Sequence, residues 1–277
     1  MGVSALAPAM VLMAAAVAAA SAGCARGGES RPPAADAHGK TLTVMSYNVN
    51  FGLEGDASGI EAIRTGGADL VVLQETTAGW ERAIRAELRD AYPHMQFRHC
   101  CLAGGLAFLS KHPLAEREYV GPAEGGWFPA WRVIVSAPFG DVQVLAVHLH
   151  PPLDEKGSVV SGYFPSKRVR RREIEAFAPL LDKDPTLPAL VIGDFNEDER
   201  GLALRFLAGR GLVTVLPSFQ PDADTWQWQT SLGPVKSRLD HVVADPRLVA
   251  LDARVINAGR SDHFPVVATF RRAATTD

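Results

Sequence analysis

The residues best placed to do chemistry are polar groups at the ends of apolar runs. Asn48 and Asn50 follow Leu42 to Tyr47, Glu75 follows Leu70 to Leu73, and His148 and His150 follow Val142 to Val147. Asp194 and Asn196 follow Leu187 to Ile192, Asp240 and His241 lie within Arg238 to Val243, and Asp262 and His263 precede Pro265 to Phe270. Carboxylates and imidazoles are costly to bury unless they are paired or bound to a metal, so this recurrence points to one convergent site. Imidazoles at strand ends suit acid–base work near neutral pH. Each segment taken alone has a plainer reading. Asp-Phe-Asn is a good turn sequence, a His beside an Asp before a strand often only caps it, and Glu75 would suit the N-terminus of a helix.

These groups must be positioned by short strands. The runs named above read as strands. A helix is expected from Ala78 to Asp90, with Trp80, Ile84 and Leu88 on one face. A second helix is expected to start near Glu173-Ile174-Glu175, beside the basic cluster Lys167 to Arg172. That cluster could grip a phosphate backbone or line a solvated helix face. Periodicity alone gives a mixed α/β class with no internal repeat.

Composition sets the limits. The chain has 277 residues, 47% hydrophobic and 21% charged, which supplies a sizeable core and excludes a disordered tail protein. The net charge of −3 leaves no global positive field, so recognition of phosphate must be local. Residues 1–23 carry no charge and contain the Ala-rich apolar run Ala9 to Ala20, shorter than a membrane span, which reads as an export signal. The small residues before Cys24 resemble a lipoprotein signal, whereas Ala20-Ser21-Ala22 fits ordinary cleavage. The chain is therefore expected at the cell envelope or secreted, with 24–40 as flexible linker, 41–271 as the folded domain and 272–277 as a tail. Cys100 and Cys101 are expected as two thiols on alternating faces of a strand, because adjacent Cα atoms are closer than ordinary disulfide geometry allows.

Six segments in order resemble the endonuclease/exonuclease/phosphatase superfamily of metal-dependent phosphoesterases, which includes DNase I-like enzymes. They are Ser46-Tyr47-Asn48-Val49, Leu73-Gln74-Glu75, Val147-His148-Leu149, Gly193-Asp194-Phe195-Asn196, Arg238-Leu239-Asp240-His241 and Ser261-Asp262-His263-Phe264-Pro265-Val266. The resemblance implies a four-layer αββα sandwich and hydrolysis of phosphate esters. It implies His263 as general base, Asp240 as its orienting partner, His148 toward the leaving group, and Asp194 with Asn196 for the nucleophile and phosphate. It further implies Glu75, Asn48 and Asp262 as ligands for Mg²⁺ or Mn²⁺, consistent with hard oxygen donors. Asn50, Arg170 and Trp226 are expected toward the substrate, and His150 and His241 as supporting residues. Asn50 stands where some nuclease branches have Asp. The expected substrate is a phosphodiester, with nucleic acid favoured over a lipid or inositol phosphate, and membrane contact only through a lipid on Cys24. A catalytically inactive surface binding module is the alternative from another class.

Overall fold

Strands turn alternate side chains to opposite faces, so a run that is apolar at every position must be covered on both sides. The structure, a computed structural model, describes residues 40–153, 159–231 and 233–274. The export signal, the linker up to residue 39 and the last three tail residues lie outside the described residues. The strands are β1 (Leu42–Asn48), β2 (Leu70–Gln74), β3 (His94–Arg98), β4 (Leu106–Ser110), β5 (Leu114–Val120), β6 (Ala130–Ala137) and β7 (Gly140–His148). They continue as β8 (Ala189–Asp194), β9 (Val213–Thr214), β10 (Trp226–Thr230), β11 (Gly233–Ser237), β12 (Asp240–Ala244), β13 (Leu248–Val255) and β14 (Val266–Arg272). The α-helices are α1 (Ala57–Gly66), α2 (Ala78–Leu88), α3 (Val159–Phe177) and α4 (Leu202–Gly209).

Two six-stranded sheets form, in the orders β13-β14-β1-β2-β4-β3 and β5-β6-β7-β8-β12-β9, with β10 and β11 as a separate hairpin. Their facing sides share one core: Val44, Leu70, Val72 and Phe108 from the first sheet meet Val144, Ala146, Leu190, Ile192 and Val242 from the second. The alternate residues point outward. Met45, Tyr47, Val71 and Leu73 pack on Ile60 and Ile63 of α1 and Trp80, Ile84 and Leu88 of α2. Leu145, Val147 and Val191 pack on Ile174 and Phe177 of α3 and on Leu204 and Leu207 of α4. The result is the αββα order expected from the resemblance. Both parallel pairs, β1 with β2 and β7 with β8, are joined by a connection that carries a helix, as parallel pairing requires.

The inner face also aligns the polar strand ends. Asn48 pairs in register with Gln74, and Asp194 pairs with His148 on one side and Asp240 on the other. With side-chain period two, Asn48 continues the row of Leu42 and Val44, His148 that of Val144 and Ala146, and Asp194 that of Leu190 and Ile192. These polar groups therefore open at one end of the seam between the sheets. Gly193 makes the crowding there tolerable: its φ is +153° and a Cβ on it would come within 1.8 Å of the Val147 carbonyl oxygen.

Three local expectations change. The second helix starts at Val159, so Lys167 to Arg172 lies well inside α3 instead of at a helix start. Strand β12 begins at Asp240, leaving Arg238 in the preceding connection, where it bonds the carbonyls of Gln220, Pro221 and Ala223. The cysteines are not two thiols on a strand: β3 stops at Arg98, and Cys100 and Cys101 are joined by a disulfide. The backbone accommodates this by leaving the extended region, with φ of 38° at Cys101 and 59° at Leu102, and by closing a turn from the Gly104 N–H to the Cys100 carbonyl. No helix of the described residues is long and apolar enough to cross a membrane.

Candidate active site

The polar strand ends meet in one hydrogen-bonded cluster. Asn48 at the end of β1 donates from Nδ2 to Glu75 Oε1 at 2.9 Å and to Asp194 Oδ2 at 3.2 Å. Glu75, directly after β2, accepts the Phe51 N–H on its other oxygen at 3.0 Å. Asp194, the last residue of β8, accepts the Asn196 N–H at 2.8 Å. Its Oδ2 lies 3.5 Å from His148 Nε2 and 3.6 Å from His263 Nε2. His263 in turn holds Asp240 Oδ2 through Nδ1 at 2.8 Å. Asp262 accepts from Asn50 Nδ2 at 3.1 Å and from Trp226 Nε1 at 2.9 Å. Asn196 donates from Nδ2 to the Leu149 carbonyl at 2.9 Å, which ties the turn after β8 to the end of β7.

The backbone at this site is held in uncommon conformations. Asn50, Glu75 and Asn196 all have positive φ, between 52° and 63°, and the other described non-glycine residues with positive φ are Cys101 and Leu102. Such conformations cost about 1–3 kcal/mol each and persist where surrounding structure fixes them. Glu75 is not a helix cap, because Thr77 holds that position for α2 and accepts the Trp80 N–H.

Two residues carry the geometry without having been singled out for a role. Thr225 is fully buried; its hydroxyl donates to Asp240 Oδ2 at 2.7 Å and accepts the N–H groups of Leu239 and Asp240. Ser261 donates from Oγ to the Asn48 carbonyl at 2.8 Å and accepts the His263 N–H at 3.2 Å, joining β1 to the His263 loop. Both are small hydroxyl residues, Ser261 the first residue of a quoted segment and Thr225 the neighbour of Trp226, and only that placement marks them.

Arg170 is not brought to this cluster. It is buried on the inward face of α3, where it meets Glu197 at 3.2 Å, the Ser166 hydroxyl and the His150 carbonyl, so it is unavailable to a substrate. The reason is helical spacing: Ser166, Arg170, Glu173, Ile174 and Phe177 form one buried stripe. Trp226 commits its indole N–H to Asp262, so that group positions a carboxylate. His241 bonds Thr214 and the Glu197 carbonyl, and burial pulls it down to about 4, leaving a neutral structural imidazole. The His150 ring lies against Trp127.

Electrostatics set the protonation of the cluster. Burial opposes charge on His263, but Asp240 and Asp194 outweigh it and push the imidazole well above its ordinary value. Burial pushes Glu75 up, with Asp262 adding to the shift and Asn48 opposing it. Burial, with Asp240 beside it, also raises Asp194, while the imidazoles of His263 and His148 oppose the rise. His148 moves the other way, because burial disfavours its charged form. Carboxylates with raised proton affinity, crowded together and lined with oxygen donors, fit a hard divalent cation. One donor each from Asp194, Asp240 and His263 lies within 4.8 Å of the others, and His263 Nδ1 and Asp240 Oδ2 bond each other.

The comparisons agree with this fold. The family model of the Endonuclease/Exonuclease/phosphatase family matches residues 45–263, and the chain belongs to that family of phosphoester hydrolases. An endonuclease/exonuclease/phosphatase from Beutenbergia cavernae DSM 12333 is 22% identical, with a TM-score of 0.63 over 84% of this chain and 72% of that one. The human Nocturnin catalytic domain with bound sulfate anion is 16% identical, with a TM-score of 0.65 over 88% of this chain and 100% of that one. Truncated Caenorhabditis elegans TDP2 is 15% identical, with a TM-score of 0.60 over 84% and 98% of the respective chains. At these identities the likeness is one of fold. No curated protein matches the chain by sequence. The family generally depends on divalent metals, and the carboxylate cluster is suited to one.

Proposed function

We propose that this site hydrolyses phosphodiesters by in-line attack of water. One observation carries the reading: the Nε2 atoms of His263 and His148 both approach the same Asp194 oxygen, at 3.6 and 3.5 Å. Two imidazoles converging on one point can serve a displacement at phosphorus as an acid–base pair, with one group for the entering oxygen and one for the leaving oxygen. His263 takes the proton of the attacking water at Nε2. Asp240 holds Nδ1–H, fixes the tautomer and stabilises the imidazolium that forms, with Thr225 holding Asp240 in turn. Asp194 and Asn196 orient the water and the phosphate, and His148 serves the leaving oxygen. Glu75, Asn48 and Asp262 would hold Mg²⁺ or Mn²⁺, which when bound would supply positive charge to polarise the phosphate.

The substrate we infer first is a nucleic-acid phosphodiester, met outside the cytoplasm because of the apolar leader in residues 1–23. A second reading, a lipid or other amphiphilic phosphoester, is favoured by exposed apolar side chains. Phe51 follows Asn50, Leu102 precedes Ala103 beside His148, and Trp228 and Val235 pair across the hairpin that carries Trp226. Burial of Arg170 weakens the basic track expected along α3. One panel decides between the two: the purified protein with Mg²⁺, assayed on plasmid DNA, RNA, sphingomyelin vesicles and inositol phosphates in a single buffer. Cleavage of nucleic acid alone supports the first reading, and cleavage of vesicles alone overturns it. Undiminished activity in chelator overturns the metal assignment.

A further inference from the structure

The Cys100–Cys101 disulfide sits in the turn that fixes His148. This turn runs from Cys100 to Gly104, is closed by the Gly104 N–H on the Cys100 carbonyl, and presents the Ala103 carbonyl to His148 Nδ1 at 3.2 Å. A carbonyl only accepts, so this contact requires a proton on Nδ1. It thereby leaves Nε2 as the atom turned toward Asp194. The other side of the ring is set by Phe128, stacked at 4.1 Å and 20°. Phe128 also borders the turn: a Cβ on Gly104 would meet the Cys101 sulfur at 2.7 Å and the Phe128 ring at 3.2 Å. Cys101 Sγ lies 3.7 Å from the carbonyl of Trp127, the residue before Phe128. Disulfide, turn, Phe128 and imidazole are therefore one packed unit. Two consecutive non-glycine residues with positive φ, Cys101 and Leu102, lie inside it. Such a backbone needs something to hold it.

We propose that the disulfide between Cys100 and Cys101 is a positioning element for His148: it locks the turn whose Ala103 carbonyl sets the tautomer and plane of the imidazole. Reduction opens it. A dithiol passes two electrons and two protons to the S–S bond, giving two Cys thiols while the dithiol closes to its own cyclic disulfide. The turn is then free to relax toward ordinary φ values, and the Ala103 carbonyl leaves Nδ1. Function as a hydrolase enters the kinetic part of this argument only, and that part rests on the reading given above.

The test has two independent arms. In the first, ¹⁵N-histidine spectra of the full chain are recorded oxidised, in dithiothreitol, and for the double variant C100S/C101S. The oxidised protein should show His148 protonated at Nδ1, and both other samples should show mixed tautomers while the His263 signals stay in place. An unchanged His148 signal overturns the proposal whether or not the protein hydrolyses anything. In the second arm, turnover of a phosphodiester is compared for parent and His148→Ala, oxidised and reduced. Opening the disulfide should lower kcat ~10-fold in the parent with KM little changed, within the range of one acid–base group. His148→Ala should be insensitive to reduction. Equal loss in both proteins overturns the proposal, because the disulfide would then act on the fold and not through His148. Using both dithiothreitol and the serine variant separates bond opening from metal chelation by the thiol.

Discussion

Thr225 donates its hydroxyl proton to Asp240 Oδ2, the same oxygen that takes the His263 Nδ1 proton. A charge on His263 is thus supported by a carboxylate that is itself pinned by a saturated hydroxyl. Thr225→Val should keep the fold and lower kcat ~10–100-fold, whereas Thr225→Ser should restore most of it, since only the hydroxyl is needed. Steady-state kinetics of the two variants decide this; equal rates for valine and parent would remove Thr225 from the relay.

Glu75 meets Asn48 and the Phe51 N–H and is crowded by Asp262. Glu75→Gln keeps the side-chain shape, removes the charge and retains only one of the two accepted hydrogen bonds. The Mg²⁺ concentration needed for half-maximal activity should rise ~10–100-fold, a size typical of perturbed metal sites. A metal titration of activity, with calorimetry of the inactive His263→Ala protein as a binding control, checks it.

Glu173 offers a pH test on a carboxyl that is not itself one of the reacting groups. Its carboxyl is fully buried under His150, and burial pushes it up to about 7 against the opposing His150 N–H and Arg170, from an ordinary 4.5. An acid raised on folding binds its proton more tightly in the folded chain, so the folded state loses stability as pH climbs through that interval. The loss should begin near pH 4.5, be complete just above 7, and amount to roughly 3 kcal/mol. Glu173→Gln should flatten this dependence. Melting curves of parent and variant from pH 4.5 to 8.5 provide the measurement, and identical slopes would refute the assignment.

Arg170 pairs with Glu197 where both side chains are almost wholly buried. Arg170→Ala leaves a buried carboxylate without its partner and should cost about 3–5 kcal/mol of stability. KM measured at a temperature where the variant is folded should be unchanged. A raised KM with unaltered melting would return Arg170 to the substrate.

Much of the site was written in the chain because strand ends are visible as the last apolar residue before a polar one. Leu73 before Gln74-Glu75 and Ile192 before Gly193-Asp194 are examples, and the register of neighbouring strands then brings the groups together. The spacing of Trp80, Ile84 and Leu88 gave α2 for the same reason. Thr225 was not legible, since a buried hydroxyl and an ordinary strand threonine look alike until a partner arrives from elsewhere in the chain. Arg170 misled because a dense basic run hides which of its members lies on the inward stripe of a helix. The vicinal disulfide was missed because adjacent cysteines bond only where the backbone leaves the extended region, and that is set by neighbours such as Trp127 and Phe128.

The alternation that places Asp194 two positions beyond Ile192 makes the site intolerant of frame changes within its strands. Deleting one residue from β8 or β7 would swing Asp194 or His148 to the side covered by α3 and α4, exchanging a reactive group for a carboxylate or imidazole in oil. Length variation in this molecule is therefore confined to its connections, and any redesign of specificity has to work through the loops around the mouth while leaving the strands residue for residue as they are.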